Sequence, residues 1–151
     1  MKVDIAYRAI LWAGLICGVL DGLSAIAVAG FFGVTAIRVF QGIASGLIGR
    51  SSFQGGAGSA LMGVALHFLV AFGAATAYYA ASRRLPFLID HALVCGIAFG
   101  LAVHLFMTFV VIPLSAIGTR PFVPRSFVAY LIVSMLVVGP SISLTVRRFS
   151  R

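Results

Sequence analysis

Polar and apolar positions divide the chain into four long apolar runs with short polar breaks between them. The runs cover residues 9–30, 59–82, 91–114 and 127–146. A helix rises about 1.5 Å per residue and the hydrocarbon core of a bilayer is about 30 Å thick, so about 20 apolar residues suffice to cross it. Each run meets that length. The breaks carry charge and proline: Lys2, Asp4 and Arg8 before the first run, Arg83, Arg84 and Pro86 after the second, a Pro- and Arg-rich loop at 118–125, and Arg147, Arg148 and Arg151 after the fourth. Proline cannot continue a regular helix, and arginine favours the headgroup layer. The pattern predicts an all-α integral membrane bundle of four transmembrane helices in a single domain, 1–151.

Residues 31–56 are patterned differently. Positions 35–49 show a helical period with a narrow polar stripe of Arg38, Gln41 and Ser45, and Ile37, Val39, Phe40, Ile43, Leu47 and Ile48 on the remaining faces. Such a segment fits a short interfacial helix between spans one and two. It could also tuck between the spans with its stripe inward, or extend span one. Residues 50–58, RSSFQGGAG, read as a flexible turn.

Composition narrows the class. The 151 residues are 62% hydrophobic and 9% charged, with a mean hydropathy of +1.15. Soluble domains carry about a quarter charged residues, so lipid is the expected solvent. The first run is too long for the h-region of a signal peptide, so it is expected to be retained. Cys17 and Cys95 lie inside apolar runs, which argues against a disulfide framework.

The net charge of +8 comes from one Lys and ten Arg against three Asp. These cations flank apolar spans and form no patch with interleaved aromatics, so no nucleic-acid partner is expected. They bear instead on orientation. Lys2, Arg8, Arg83, Arg84, Arg147, Arg148 and Arg151 fall on one side, and Arg38, Arg50, Arg120 and Arg125 on the other. The bias places both termini in the cytoplasm. Arg38, Arg120 and Arg125 are candidate interfacial anchors.

Small residues mark contact faces. Gly14, Gly18 and Gly22 are four apart on span one, Gly63 precedes His67 by four on span two, and Gly96 and Gly100 precede His104 in the same row on span three. Helices in lipid associate by close packing through such rows. Apolar spans with Gly rows also point to a homo-oligomer or a place in a larger membrane complex, with lipids as the other partner.

The candidate chemistry is at mid-depth. Asp21, His67 and His104 each fall near the middle of a span, and Ser134 falls near that depth in span four, where Tyr130, Ser134 and Ser141 share roughly one face. These residues form a candidate buried polar cluster. One reading is structural: interhelical hydrogen bonds in membranes are worth about 0.6 kcal/mol on average. Against it, an acid at mid-bilayer costs about 2.5–3.5 kcal/mol on insertion scales, and such residues mark ion or proton pathways. Histidine titrates near neutrality. A third reading makes His67 and His104 metal or haem ligands, although no ligand pair has a diagnostic spacing and the chain lacks a CxxCH motif. There is no GxSxG, HExxH, P-loop or paired Glu, so no enzymatic activity is expected. No cofactor follows from the sequence.

The middle of the chain, from His67 to Pro121, resembles the YagU-like family of small bacterial inner-membrane proteins. The resemblance rests on His67 with Tyr78 and Pro86, then Gly96 and Gly100, then Pro113-Leu114 before a Gly-Thr-x-Pro turn at Gly118, Thr119 and Pro121. Members tend to carry a His in the last span, where this chain has Ser134. The resemblance implies a four-span protein of the bacterial inner membrane. It implies no mechanism.

Overall fold

The computed structural model describes residues 2–118 and 121–150. Arg120, expected as an interfacial anchor, lies outside the described residues, as does Thr119. The described chain is mostly helical, with short turns between the helices. It forms α1 (Lys2–Phe31), α2 (Ala36–Ile48), a short 3-10 turn (Gly49–Gln54), α3 (Gly56–Arg84), α4 (Phe87–Asp90), α5 (Ala92–Leu114) and α6 (Pro124–Ser150). Among the described residues α1, α3, α5 and α6 are long and apolar enough to cross a membrane. This is the build of a multi-pass membrane protein.

Local chemistry sets the helix ends. α1 stops where Gly33 takes a φ of +75° and the Val34 N–H donates to the Ala29 carbonyl at 2.9 Å. That six-to-one bond with a left-handed glycine is a Schellman stop. α3 ends at Arg84 because Leu85 precedes Pro86 and leaves the helical region. α6 starts at Pro124, where a missing N–H costs nothing. The helices outrun the apolar runs at several ends, because flanking residues such as Arg8, Arg83, Arg84 and Arg147 stay helical while carrying their charge beyond the apolar layer.

The long helices pack in the order α3, α1, α6, α5, with α1 and α6 in the middle. At the end holding both termini the bundle is closed. Ala13, Cys17, Ala71, Ala75, Tyr78, Val138, Ile142 and Val146 form its buried core. Tyr78 is 1% exposed. It donates its hydroxyl to the Leu88 carbonyl at 2.9 Å and meets Phe99 of α5 edge-on at 5.0 Å between ring centres. Arg8 lies over the Phe149 ring at 5.7 Å and ties the start of α1 to the end of α6. Trp12, Leu23, Leu69, Val94, Phe106 and Leu136 point outward, as a lipid solvent requires.

Glycine sets the α5–α6 seam. A Cβ on Gly100 would strike the Ser134 backbone, and one on Gly139 would strike the Gly96 backbone. The Gly96 and Gly100 row is thus a true backbone-to-backbone contact. Both helices also widen into a π turn, at Met107–Val111 in α5 and Ser134–Val138 in α6. Each π turn ends two residues before a proline, Pro113 or Pro140. A proline ring removes one N–H and crowds the carbonyl four residues earlier. Those carbonyls belong to Phe109 and Leu136, inside the two π turns.

α2 lies across the first turns of α3, where Gly63 lets the Phe40 backbone approach. Its far end reaches the segment after α5. There the Ala116 N–H donates to the Gly46 carbonyl at 2.8 Å. α2 is therefore a strap over the end of the bundle away from the termini. Of its polar stripe, Gln41 and Ser45 are buried and Arg38 is exposed. The turn expected at 50–58 is the 3-10 turn Gly49–Gln54 running into the first residues of α3. Ser59 Oγ donates to the Ser52 carbonyl at 2.6 Å and Gln41 Nε2 to the Gly56 carbonyl at 3.0 Å. Buried backbone groups need partners, and here the serines and Gln41 supply them.

Candidate functional site

Asp21 lies ten residues before the end of α1, His67 eleven after the start of α3, His104 ten before the end of α5 and Ser134 ten after the start of α6. At a helical rise these are all about 15 Å from the same end of the bundle. The four residues form two pairs.

The first pair joins α1 to α3. His67 Nδ1 is 3.9 Å from Asp21 Oδ2. His67 Nε2 is 2.8 Å from the Gly18 carbonyl oxygen. A carbonyl can only accept, so Nε2 carries a hydrogen and Nδ1 is the nitrogen free to gain or lose one. That nitrogen faces the carboxyl. One proton on either Nδ1 or the carboxyl leaves the pair with no net charge.

The glycine row of α1 makes this geometry possible. A Cβ on Gly14 would strike the Phe72 ring, one on Gly18 the Phe68 ring at 2.5 Å, and one on Gly22 would sit 3.3 Å from His67 Nε2. The row was expected to bring backbones together. It instead receives three rings from α3, the last of them the imidazole. His67 is further held edge-on by Phe40 and Phe68, at 6.2 Å and 5.6 Å.

The second pair joins α5 to α6. His104 Nδ1 is 3.5 Å from Ser134 Oγ, and the ring meets Phe127 edge-on at 4.9 Å. His104 is 9% exposed, and its Nε2 is buried without a hydrogen-bond partner among the described residues. Among the described residues no hydrogen bond joins the two pairs.

Both pairs line one cavity of about 890 Å³. Its closed end is at Cys17, Ala71 and Val138, beside the buried core. Its lining is exposed toward α2, at Gly33, Val34, Thr35 and Arg38, and also at mid-depth, at Val70 of α3. Arg38 donates from Nη1 to the Phe53 carbonyl at 3.5 Å and stacks on that ring at 5.6 Å. Asp21 keeps about a third of its side chain exposed, and His67 a tenth, so a molecule in the cavity can reach the carboxyl. Arg125 is exposed in the first turn of α6 and does not line the cavity.

Tyr130 and Ser134 line the cavity, but Ser141 does not. It donates to the Val138 carbonyl at 2.9 Å. Ser141 lies about two turns beyond Ser134, past the π turn Ser134–Val138 and below the cavity floor. Phe53, Thr35 and Gly42, also in the lining, carried no signal in the sequence. They reach the site only because α2 folds back as a strap.

Among the described residues no three His, Cys, Asp or Glu side chains gather as metal ligands. His67 Nε2 is taken by the Gly18 carbonyl, and its Nδ1 faces Asp21. Compared with family models, curated proteins and solved structures, the chain finds no match in any of the three.

Proposed function

We propose that this is a non-enzymatic membrane protein in which the Asp21–His67 pair handles protons or a small solute that enters from the α2 end. One observation carries this reading. The pair lies at mid-span, faces a cavity exposed at the α2 end, and can hold or lose one proton between two atoms 3.9 Å apart. An acid used only for packing has no need of a third of its side chain facing a cavity.

In this reading the protein lies in a bacterial inner membrane with both termini cytoplasmic, and the cavity opens on the opposite side. The charge bias and the resemblance to the YagU-like family support that placement. Four spans enclose a small volume, so the working unit is a homo-oligomer or part of a larger complex.

The test is proton flux into liposomes containing the purified protein and a pH-sensitive dye, driven by an imposed potential. Wild type is expected to acidify the lumen faster than empty liposomes. Asp21→Asn is expected to reduce the rate to the empty-liposome level while eluting from a sizing column as wild type does. Flux at the wild-type rate in a folded Asp21→Asn protein contradicts the proton reading.

A further inference from the structure

We infer that the cavity binds a lipophilic organic monocation, with its charge on Asp21, and that binding displaces the proton from the Asp21–His67 pair. This deepens the proposed function and rests on it, since it takes the same pair as the solute-facing group.

Size and lining favour an organic guest. About 890 Å³ lies within the range that encloses drug-sized molecules, and such sites are mostly apolar with a few placed polar groups. Here the walls are chiefly Ala, Val, Ile and aromatic side chains, with Phe32, Phe53 and Tyr130 among them. Aromatic faces attract cations, more strongly where water is scarce. A hard inorganic cation is a poor fit, because it asks for six or more oxygen ligands and the lining holds one carboxylate with scattered hydroxyls.

Charge gives the sign. The groups facing Asp21 are Cys17 on its own helix, His67 on α3 and Tyr130 on α6, with His104 of α5 across the cavity. Among the described residues Arg38 of α2 is the one permanent cation in the lining, and it is exposed at the α2 end and tied to Phe53. Water and salt screen it there. The deep end therefore offers a carboxyl whose close basic neighbour is a histidine able to give up its proton. One cation enters, Asp21 stays ionised, His67 becomes neutral through loss of the Nδ1 proton, and one proton leaves. The charge of the occupied site then equals that of the empty one, so exchange costs no net charge burial.

The experiment uses the full chain in mild detergent and tetraphenylphosphonium as the probe. Its charge is fixed, so any pH dependence belongs to the protein. Calorimetry is expected to show saturable binding that tightens as pH rises, by up to about tenfold per pH unit. A weakly buffered sample should release one proton per cation. Asp21→Asn should weaken binding at least about tenfold, a loss of about 1.4 kcal/mol or more. Gly42→Phe gives a second variant that leaves Asp21 in place, because a Cβ there meets open space in the cavity wall. It should weaken binding too.

Absence of binding to wild type overturns the inference. So does binding without proton release, equal binding of neutral triphenylphosphine oxide, or wild-type affinity in either folded variant. Proton flux without the probe separates this idea from the reading beneath it. Asp21-dependent flux with no binding sinks only the monocation inference. Proton-linked binding without flux supports the inference and sinks proton conduction.

Discussion

His67 shows how much one side chain can decide when both its nitrogens have distinct neighbours. The Gly18 carbonyl holds Nε2–H, and this hydrogen bond fixes both the tautomer and the ring's direction. Nδ1 is then left toward Asp21. His67→Gln separates the two roles. A glutamine amide can donate to the Gly18 carbonyl but cannot take up a proton near neutrality. This variant is expected to melt within a few degrees of wild type yet lose pH-dependent flux. If flux persists, His67 is not the proton partner of Asp21. The depth of Asp21, His67, His104 and Ser134 could be read by counting residues from the span ends. Their pairing could not, because the partner of His67 Nε2 is a backbone carbonyl, which leaves no trace in side-chain pattern. The hydroxyl of Tyr78 on the Leu88 carbonyl was hidden for the same reason.

At the level of elements, the contrast between the two glycine rows matters most. On α1, Gly14, Gly18 and Gly22 accommodate rings, and rings can shift. On α5, Gly96 and Gly100 meet the backbone or near backbone of α6, which cannot. Gly100→Leu is therefore expected to cost more than the about 1–3 kcal/mol usual for overpacking. Gly14→Ala should cost less than Gly100→Ala. Thermal unfolding of both alanine variants in one detergent checks the order, and a reversed order contradicts this reading of the seam. Small-residue spacing exposed both rows but could not say which met rings and which met backbone. The π turns were half legible. Pro113 and Pro140 stand in the sequence, yet only the fold shows that each follows a π turn.

Across the whole molecule, the two ends differ in kind. The end with the termini is packed around Tyr78, Ile142 and Val146, and the other end is hollow and strapped by α2. Fold class and span number were plain in the apolar runs, because bilayer thickness leaves few alternatives. The hollow was not, since it depends on where α2 lands. Orientation remains a prediction of charge bias. With Cys17 and Cys95 replaced, a single cysteine at Ser150 is expected to resist an impermeant thiol reagent added to intact cells. One at Ser51 is expected to react. The opposite pattern would reverse the orientation.

The hydrogen bond between Ala116 and Gly46 joins positions seventy residues apart in the order of synthesis. α2 leaves the ribosome long before its anchor does. Until the segment after α5 is made and inserted, the strap has no far attachment and the Asp21 carboxyl faces whatever surrounds the insertion machinery. Tyr130 and Ser134 of α6 come later still, so the polar site is walled only once the last span is in place.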